Sequence, residues 1–166
     1  MKPRLRFLIV VIFVAGIIFI HKPVYAVFEL IADNSIIDFG FMNISENKHL
    51  KEKGSYHNQI TCTSDNDNTW YLKIHLAEPF NSGSAYIPYE SFQWRVTSVA
   101  NGSGIVYNEN EFRPFLDIPV AVYTSGPNDN SGTEVSIRFD YQLSIPKNQL
   151  PGNYRSAVRY TLSELL

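Results

Sequence analysis

Residues 62–75, CTSDNDNTWYLKIH, place alternating Asp and Asn between the single cysteine and a tryptophan. Asp65 and Asp67 have the i, i+2 spacing of acidic ligands in calcium-binding loops. Such a loop also needs a well-placed glycine and a bidentate acidic ligand downstream, whereas here a strand pattern begins at Thr69. Asn and Asp tolerate the left-handed backbone conformations that tight turns require. We therefore interpret residues 65–68 as a turn between two strands, with calcium binding as the alternative.

Three acidic residues, Glu109, Glu111 and Asp117, are close together in the sequence and could act as paired carboxylates. Paired carboxylates cleave glycosidic bonds when the fold fixes their separation. Here they flank Arg113 in a predicted loop, where nothing fixes that separation. A secreted hydrolase that uses Glu109 and Asp117 is therefore only a third hypothesis.

The four histidines, His21, His49, His57 and His75, form no paired zinc-binding motif. The sequence also contains no nucleophile elbow, no Walker loop and no dinucleotide-binding glycine motif. We therefore predict a protein that is not an enzyme and uses no cofactor or metal.

Four tyrosines are candidates for a ligand-binding surface. Tyr71 and Tyr123 lie on the polar parity of their strands, while Tyr86 and Tyr89 lie in a loop. Such residues could stack on sugar rings, or they could cover the edge of a sheet. Both tryptophans lie on apolar parity and are predicted to belong to the core.

Apolar and polar residues alternate with period two over most of residues 27–166. Because successive strand residues point to opposite faces, this alternation predicts half-buried β-strands. The predicted strands are 27–32, 36–42, 56–63, 69–76, 91–98, 120–123, 134–145 and 153–162. Residues 48–53 could form one helical turn, and residues 101–104 (NGSG) are interpreted as a hairpin turn. The pattern predicts a single all-β domain, an antiparallel β-sandwich.

The first 26 residues have the pattern of a secretory signal peptide: a basic start, an apolar run over residues 7–20, and small residues before a cleavage site after Ala26. The alternative is an uncleaved anchor, although the run is shorter than the ~20 residues that span a bilayer. Residues 27–166 are expected to form the mature domain. They contain no second long apolar segment, so we predict no membrane span there.

Charge and cysteine content restrict the partners and the fold further. The signal segment holds four of the 14 Lys and Arg residues and none of the 16 acids, so residues 27–166 carry a net charge of −6. Nucleic acid is not expected as a partner, because phosphate binding requires a basic surface. Cys62 is the only cysteine, which excludes an intramolecular disulfide. Its position on the apolar parity of a strand predicts a small buried side chain.

Three stretches occur in a recognisable order: residues 37–40 (IDFG), residues 60–74, which end in W-x-L-x-I, and residues 151–162 with the pattern P-G-x-Y-x-x-x-V-x-Y-T-L. Together they resemble bacterial secreted immunoglobulin-like and pilin-like domains, of the spore coat protein U-like or related pilus-subunit type. The resemblance implies an immunoglobulin-like β-sandwich with a structural or adhesive role.

Subunits of that type often assemble by strand addition, in which one chain supplies an extended segment to the open sheet of a neighbour. Only ten residues, VFELIADNSI (27–36), lie between the predicted signal peptide and the IDFG motif, which favours a self-contained sandwich. A strand-adding subunit would instead have an open groove that exposes core residues.

The predicted function is therefore that of a non-enzymatic, exported structural or cell-surface interaction module of fimbrial or adhesin type. Its predicted location is the periplasm, the cell surface or the medium. The expected partner is another protein or a second copy of the chain. The alternative is a carbohydrate-binding module that uses Tyr71, Tyr86, Tyr89 and Tyr123, with a glycan as the ligand.

Overall fold

The computed structural model describes residues 26–50 and 56–165, which form two antiparallel β-sheets around one core. This confirms the prediction of an all-β antiparallel sandwich. The predicted signal peptide lies outside the described residues except for Ala26.

The described residues contain eleven strands and two short 3₁₀ turns. The strands are β1 Phe28–Ala32, β2 Asn47–Leu50, β3 Asn58–Ser64, β4 Tyr71–Ser82, β5 Ala85–Ile87, β6 Phe92–Ala100, β7 Ile105–Val106, β8 Arg113–Pro114, β9 Val120–Thr124, β10 Val135–Ser144 and β11 Arg155–Ser163. The turns are Tyr89–Ser91 and Pro127–Asn130.

The first sheet has the order β1-β3-β10-β6-β8, and β2 continues the position of β3 along the second half of β10. The second sheet has the order β11-β4-β9-β7, and β5 forms a hairpin with the end of β4. Numbered by chain order, β1, β3, β10 and β6 correspond to the A-B-E-D sheet of an immunoglobulin domain, and β11 and β4 to its strands F and C.

The core consists of the residues that the period-two pattern places on the apolar faces. The inward residues of β10 are all buried, and so are most of those of β4 and β6; the buried ones are Val135, Ile137, Phe139, Tyr141 and Leu143, then Leu72, Ile74 and Leu76, then Phe92, Trp94 and Val96. Trp70 is also buried, directly before β4. The core assignment of both tryptophans is therefore confirmed.

Cys62 is buried on β3 between the sheets, as its parity predicted. Burial raises the pKa of its thiol to about 12, because the thiolate would be desolvated there. The thiol therefore acts as a small apolar core residue.

The predicted strand at residues 36–42 is wrong. Asp38 Oδ1 accepts a hydrogen bond from the Gly40 amide at 2.7 Å, and Gly40 has a φ of 62°, so the chain turns here. Phe39 is buried in the core, while Lys48 donates to the Phe39 carbonyl at 2.5 Å. The local Asx turn prevails over the alternating pattern because Asp and Gly favour it.

Two further local interpretations are corrected. Of residues 48–53, predicted as a possible helical turn, residues 48–50 belong to strand β2, because β10 supplies their hydrogen-bond partners from residues 141–143, and residues 51–53 lie outside the described part of the chain. Residues 101–104 do form a turn, but not a hairpin: they connect β6 in the first sheet to β7 in the second. Asn101 has the left-handed φ of 61° that Asn tolerates.

Candidate functional site

The outer edge of β11 is unpaired within residues 26–50 and 56–165. β11 bonds to β4 along one side only, and no other described strand pairs with it, although the edge strand β1 of the first sheet lies nearby. In an immunoglobulin domain this is the position of strand G. The backbone N–H and C=O groups along such an edge can pair with another extended segment.

The inward side chains of β11 are incompletely covered. Val158, Tyr160 and Leu162 pack against the core but are only half-buried, whereas the matching residues of β10 are buried. A strand at an open edge has a neighbour on one side only, so part of its apolar face stays in contact with water. A segment added beside β11 would cover it.

A groove of about 720 Å³ lies next to the start of β11. It is lined by residues 37–44 and by residues 149–154, which lead into β11, and it reaches the core residues Ile87 and Leu143. Large apolar side chains at its margin are exposed, including Phe41, Ile44 and Leu150. Exposed apolar residues clustered around a concavity are typical of interaction sites.

Strand β1 is also an edge strand, and its apolar side chains are partly exposed. It pairs with β3 on one side only. Val27, Phe28 and Ile31 are exposed, and Leu30 is only half-buried. The first part of the described chain is therefore an extended apolar segment that its own domain covers poorly.

The four candidate tyrosines do not form one surface. Tyr123 is fully buried, so it is excluded as a surface ligand-binding residue. A bulge in β9 opposite Leu72 and Lys73 turns both Val122 and Tyr123 inward, which the simple alternation did not predict. Tyr71 is half-buried at the start of β4. Asn81, the cross-strand partner of Tyr86, lies ten residues further along the same strand, a distance of about 33 Å, so Tyr71 is far from Tyr86.

Tyr86 and Tyr89, in contrast, are brought together. Both line a second concavity of about 520 Å³ on the β4–β5 hairpin and the turn that follows it. Tyr86 is 62% exposed, whereas Tyr89 is half-buried against the core.

The acidic residues singled out in the sequence occupy exposed positions. Glu109, Glu111 and Asp117 are exposed, and none of them lines either concavity. Within the described residues, no three His, Cys, Asp or Glu side chains come close enough to hold a metal ion.

The acidic stretch after β3 is a turn, as predicted. Asp67 has a left-handed φ of 59°, and the Asn66 side chain accepts a hydrogen bond from Ser64 Oγ at 2.6 Å. The side-chain amides of Asn66 and Asn68 both donate to Glu164, which ties this turn to the end of β11.

Sequence reasoning missed a buried polar site around Asp129. Its carboxylate accepts hydrogen bonds from the Tyr123 hydroxyl at 2.5 Å, the Gly126 amide at 2.7 Å, and both the amide and the hydroxyl of Ser103 at 2.8 Å. Burial acts to raise the pKa of Asp129, but these hydrogen bonds outweigh it and hold the pKa below its usual value. The site fastens the turn after β6 to the turn after β9.

A second missed site surrounds Asp140 on the outer face of β10. One carboxylate oxygen accepts from Arg95 Nη2 at 2.8 Å and lies 3.0 Å from His49 Nε2. Phe112 contacts both partners, with its ring centroid 4.7 Å from the Arg95 guanidinium and 4.9 Å from the His49 ring. These contacts bury a carboxylate that the alternating pattern placed on a polar face, and they anchor β2 to the first sheet.

Comparison of the chain with protein-family models, with curated proteins and with solved structures found no match. None of the helices in the described part of the chain is long and apolar enough to cross a membrane. The function is therefore argued from the geometry of the sandwich.

Proposed function

We propose that the chain is an exported, non-catalytic structural or cell-surface interaction module of fimbrial or adhesin type, and that it associates with further copies of itself through the open edge of β11. The observation that carries the proposal is the free β11 edge, with its half-covered apolar face and the adjoining groove. The proposal that the chain is exported rests on the signal-peptide pattern of residues 1–26.

The geometry favours an extended segment as the occupant. An unpaired strand edge offers backbone hydrogen bonds at a regular spacing, and an added strand gains affinity from them. Specificity then comes from alternate side chains, which would pack against Val158, Tyr160 and Leu162. A strand with apolar residues at every second position meets both requirements.

The occupant that we propose is the segment 27–36 of a second copy. Its residues Phe28, Leu30 and Ala32 share one face, as an added strand requires. Its own domain leaves the side chains of this segment partly exposed, and an exchange would replace its pairing with β3 by an equivalent pairing with β11. The short length of the segment favoured a closed sandwich at the level of sequence, whereas the open edge favours assembly.

The first experiment measures size and stability together. Size-exclusion chromatography with light scattering, over a range of protein concentrations, should show concentration-dependent oligomers. Thermal unfolding should shift to higher temperature when a peptide copying VFELIADNSI is added, because ligands that bind only the folded state stabilise it. The control peptide carries Phe28→Asp and Leu30→Asp, which remove the apolar face, and should give no shift.

A matched pair of variants tests the location. Leu150 lies at the margin of the groove and is 62% exposed, whereas Ile105 is 60% exposed on β7, at the far edge of the same sheet. Leu150→Asp should weaken self-association about tenfold or more, and Ile105→Asp should leave it within about twofold. A monomer at every concentration that also ignores the peptide would contradict the proposal.

A further inference from the structure

The hairpin of β4 and β5 has two faces with different surroundings. Phe80 pairs with Ile87, and Asn81 pairs with Tyr86. Because neighbouring residues of a strand point to opposite sides, Phe80 and Ile87 face the core and the groove, while Asn81 and Tyr86 face outward. A two-residue turn with Gly83 at a φ of 61° fixes this register.

The outward face contributes to the second concavity, which has a mixed aromatic and polar lining. It contains two tyrosine rings, two prolines, an amide, a hydroxyl and a carboxylate; these belong to Pro79, Asn81, Ser84, Tyr86, Pro88, Tyr89 and Glu90. Flat apolar rings beside a few hydrogen-bonding groups are the usual composition of a small-molecule site. No basic residue is present in this lining.

The backbone holds Tyr89 in place before any ligand arrives. Pro88 precedes a 3₁₀ turn in which the Ser91 amide donates to the Pro88 carbonyl at 3.0 Å. The Phe92 amide donates to the Tyr89 carbonyl, and the Phe92 side chain is buried. Tyr89 is therefore held against the core, while Tyr86 is 62% exposed to solvent.

From this arrangement we propose that the Tyr86–Tyr89 concavity binds a neutral saccharide. A pyranose ring has one face of C–H groups and a rim of hydroxyls. The C–H face would stack on the electron-rich face of Tyr86, and the hydroxyls would bond to Asn81 and Glu90. Glu90 is the one charged group of the lining, and the exposed Arg155 pairs with Asn81 beside it, so these opposite charges favour neither an anionic nor a cationic sugar.

This site lies on the opposite face of the hairpin from the groove, although its residue Asn81 pairs with Arg155 at the start of β11. Saccharide binding and self-association are therefore tested with different variants. Together the two sites describe a module that assembles through one face and recognises a surface glycan through the other.

The test begins with binding of the purified protein to a glycan array that contains neutral, amino and acidic sugars. A neutral oligosaccharide that binds on the array is then titrated into the protein by calorimetry. Tyr86→Ala should reduce affinity about tenfold or more, and Glu90→Gln should reduce it several-fold. Tyr107→Ala is the matched control, because Tyr107 is a partly exposed tyrosine outside the concavity. It should change affinity by less than about twofold.

Unchanged thermal unfolding of the variants establishes that they are folded, and Leu150→Asp should bind the saccharide as the unmodified protein does. The proposal is overturned if no neutral glycan binds, if Tyr86→Ala binds as well as the unmodified protein, or if a proline-rich peptide and no sugar occupies the concavity.

Discussion

Replacement of Asp129 by asparagine should destabilise the fold by about 2–4 kcal/mol, although the two side chains have almost the same shape. Asp129 is fully buried and accepts four hydrogen bonds, from Tyr123, Gly126 and twice from Ser103. Hydrogen bonds to a charged group contribute about 1.5–3 kcal/mol each, roughly twice the value for neutral pairs.

The magnitude follows from the geometry of the donors. One carboxylate oxygen receives both bonds from Ser103, and the other receives those from Tyr123 and Gly126. The amide group of asparagine replaces one of these oxygens with an NH₂ that only donates. In either orientation it meets a backbone N–H, which also only donates, and an unsatisfied buried donor costs about 1–3 kcal/mol. Loss of the charge weakens the remaining bonds and accounts for the rest.

Guanidinium unfolding at pH 7 measures this difference, and thermal unfolding should show a midpoint lowered by about 10 °C. The control is Asp67→Asn, which removes an exposed charge from a position with a left-handed φ of 59° that asparagine adopts readily. It should change stability by less than about 0.5 kcal/mol.

The pH dependence gives the reasoning a second check. The pKa of Asp129 is lower in the folded than in the unfolded chain. The stabilisation that its carboxylate provides is therefore complete above the ordinary carboxyl pKa of about 3.9. The contribution is lost as the pH falls through the folded value. The gap between the unmodified protein and Asp129→Asn should therefore narrow below about pH 4. Equal stability at pH 7, or a gap that stays constant in acid, would refute the assignment.

Three further predictions concern other parts of the fold. The Cys62 thiol should not react with a thiol reagent in the native protein and should react fully in guanidinium, because it is buried and its pKa is raised to about 12. Gly104→Ala should lower the free energy of unfolding by about 2 kcal/mol or more, because its Cβ would lie 2.0 Å from the Thr124 carbonyl oxygen. Gly83→Ala meets no atom within 4 Å and should lower it by only about 1 kcal/mol, because of the positive φ at this position. Equal unfolding midpoints of the two variants would contradict this prediction. Burial raises the pKa of Tyr160, so the stability of the protein should fall as the pH rises above about 10, where tyrosines of the unfolded chain ionise. Urea unfolding between pH 8 and 11 should show a less steep loss of stability for Tyr160→Phe than for the unmodified protein.

The sequence predicted the strands that make up the core because their signal is local. Burial on one face and solvent on the other impose an alternation that can be read without knowing the partner strand, as in β10, where five inward residues are all buried. The acidic turn at residues 65–68 was equally readable, since the backbone preferences of Asn and Asp act over neighbouring residues. The strand predicted at residues 36–42 failed because a single Asx turn at Asp38 overrides a short alternating pattern.

The candidate sites were less predictable because they depend on contacts between distant residues. The inward direction of Tyr123 follows from a bulge opposite β4, and Asp140 is buried among Arg95 of β6 and His49 of β2, which Phe112 contacts. Neither leaves a signal within a few residues in the sequence. The pairing of Tyr86 and Tyr89 in one concavity likewise needs the hairpin and the turn to be placed against the core.

The sequence by itself determined an all-β chain, the inward faces of its main strands, and a cysteine that serves the core. These features depend on side-chain hydrophobicity and on the two-residue period of an extended backbone. The tertiary structure decided which strand edge stays unpaired, where the groove opens beside β11, and which tyrosines meet. Strand order and register are set by contacts far apart in the chain, and the surfaces proposed here for assembly and for sugar binding arise only from that order.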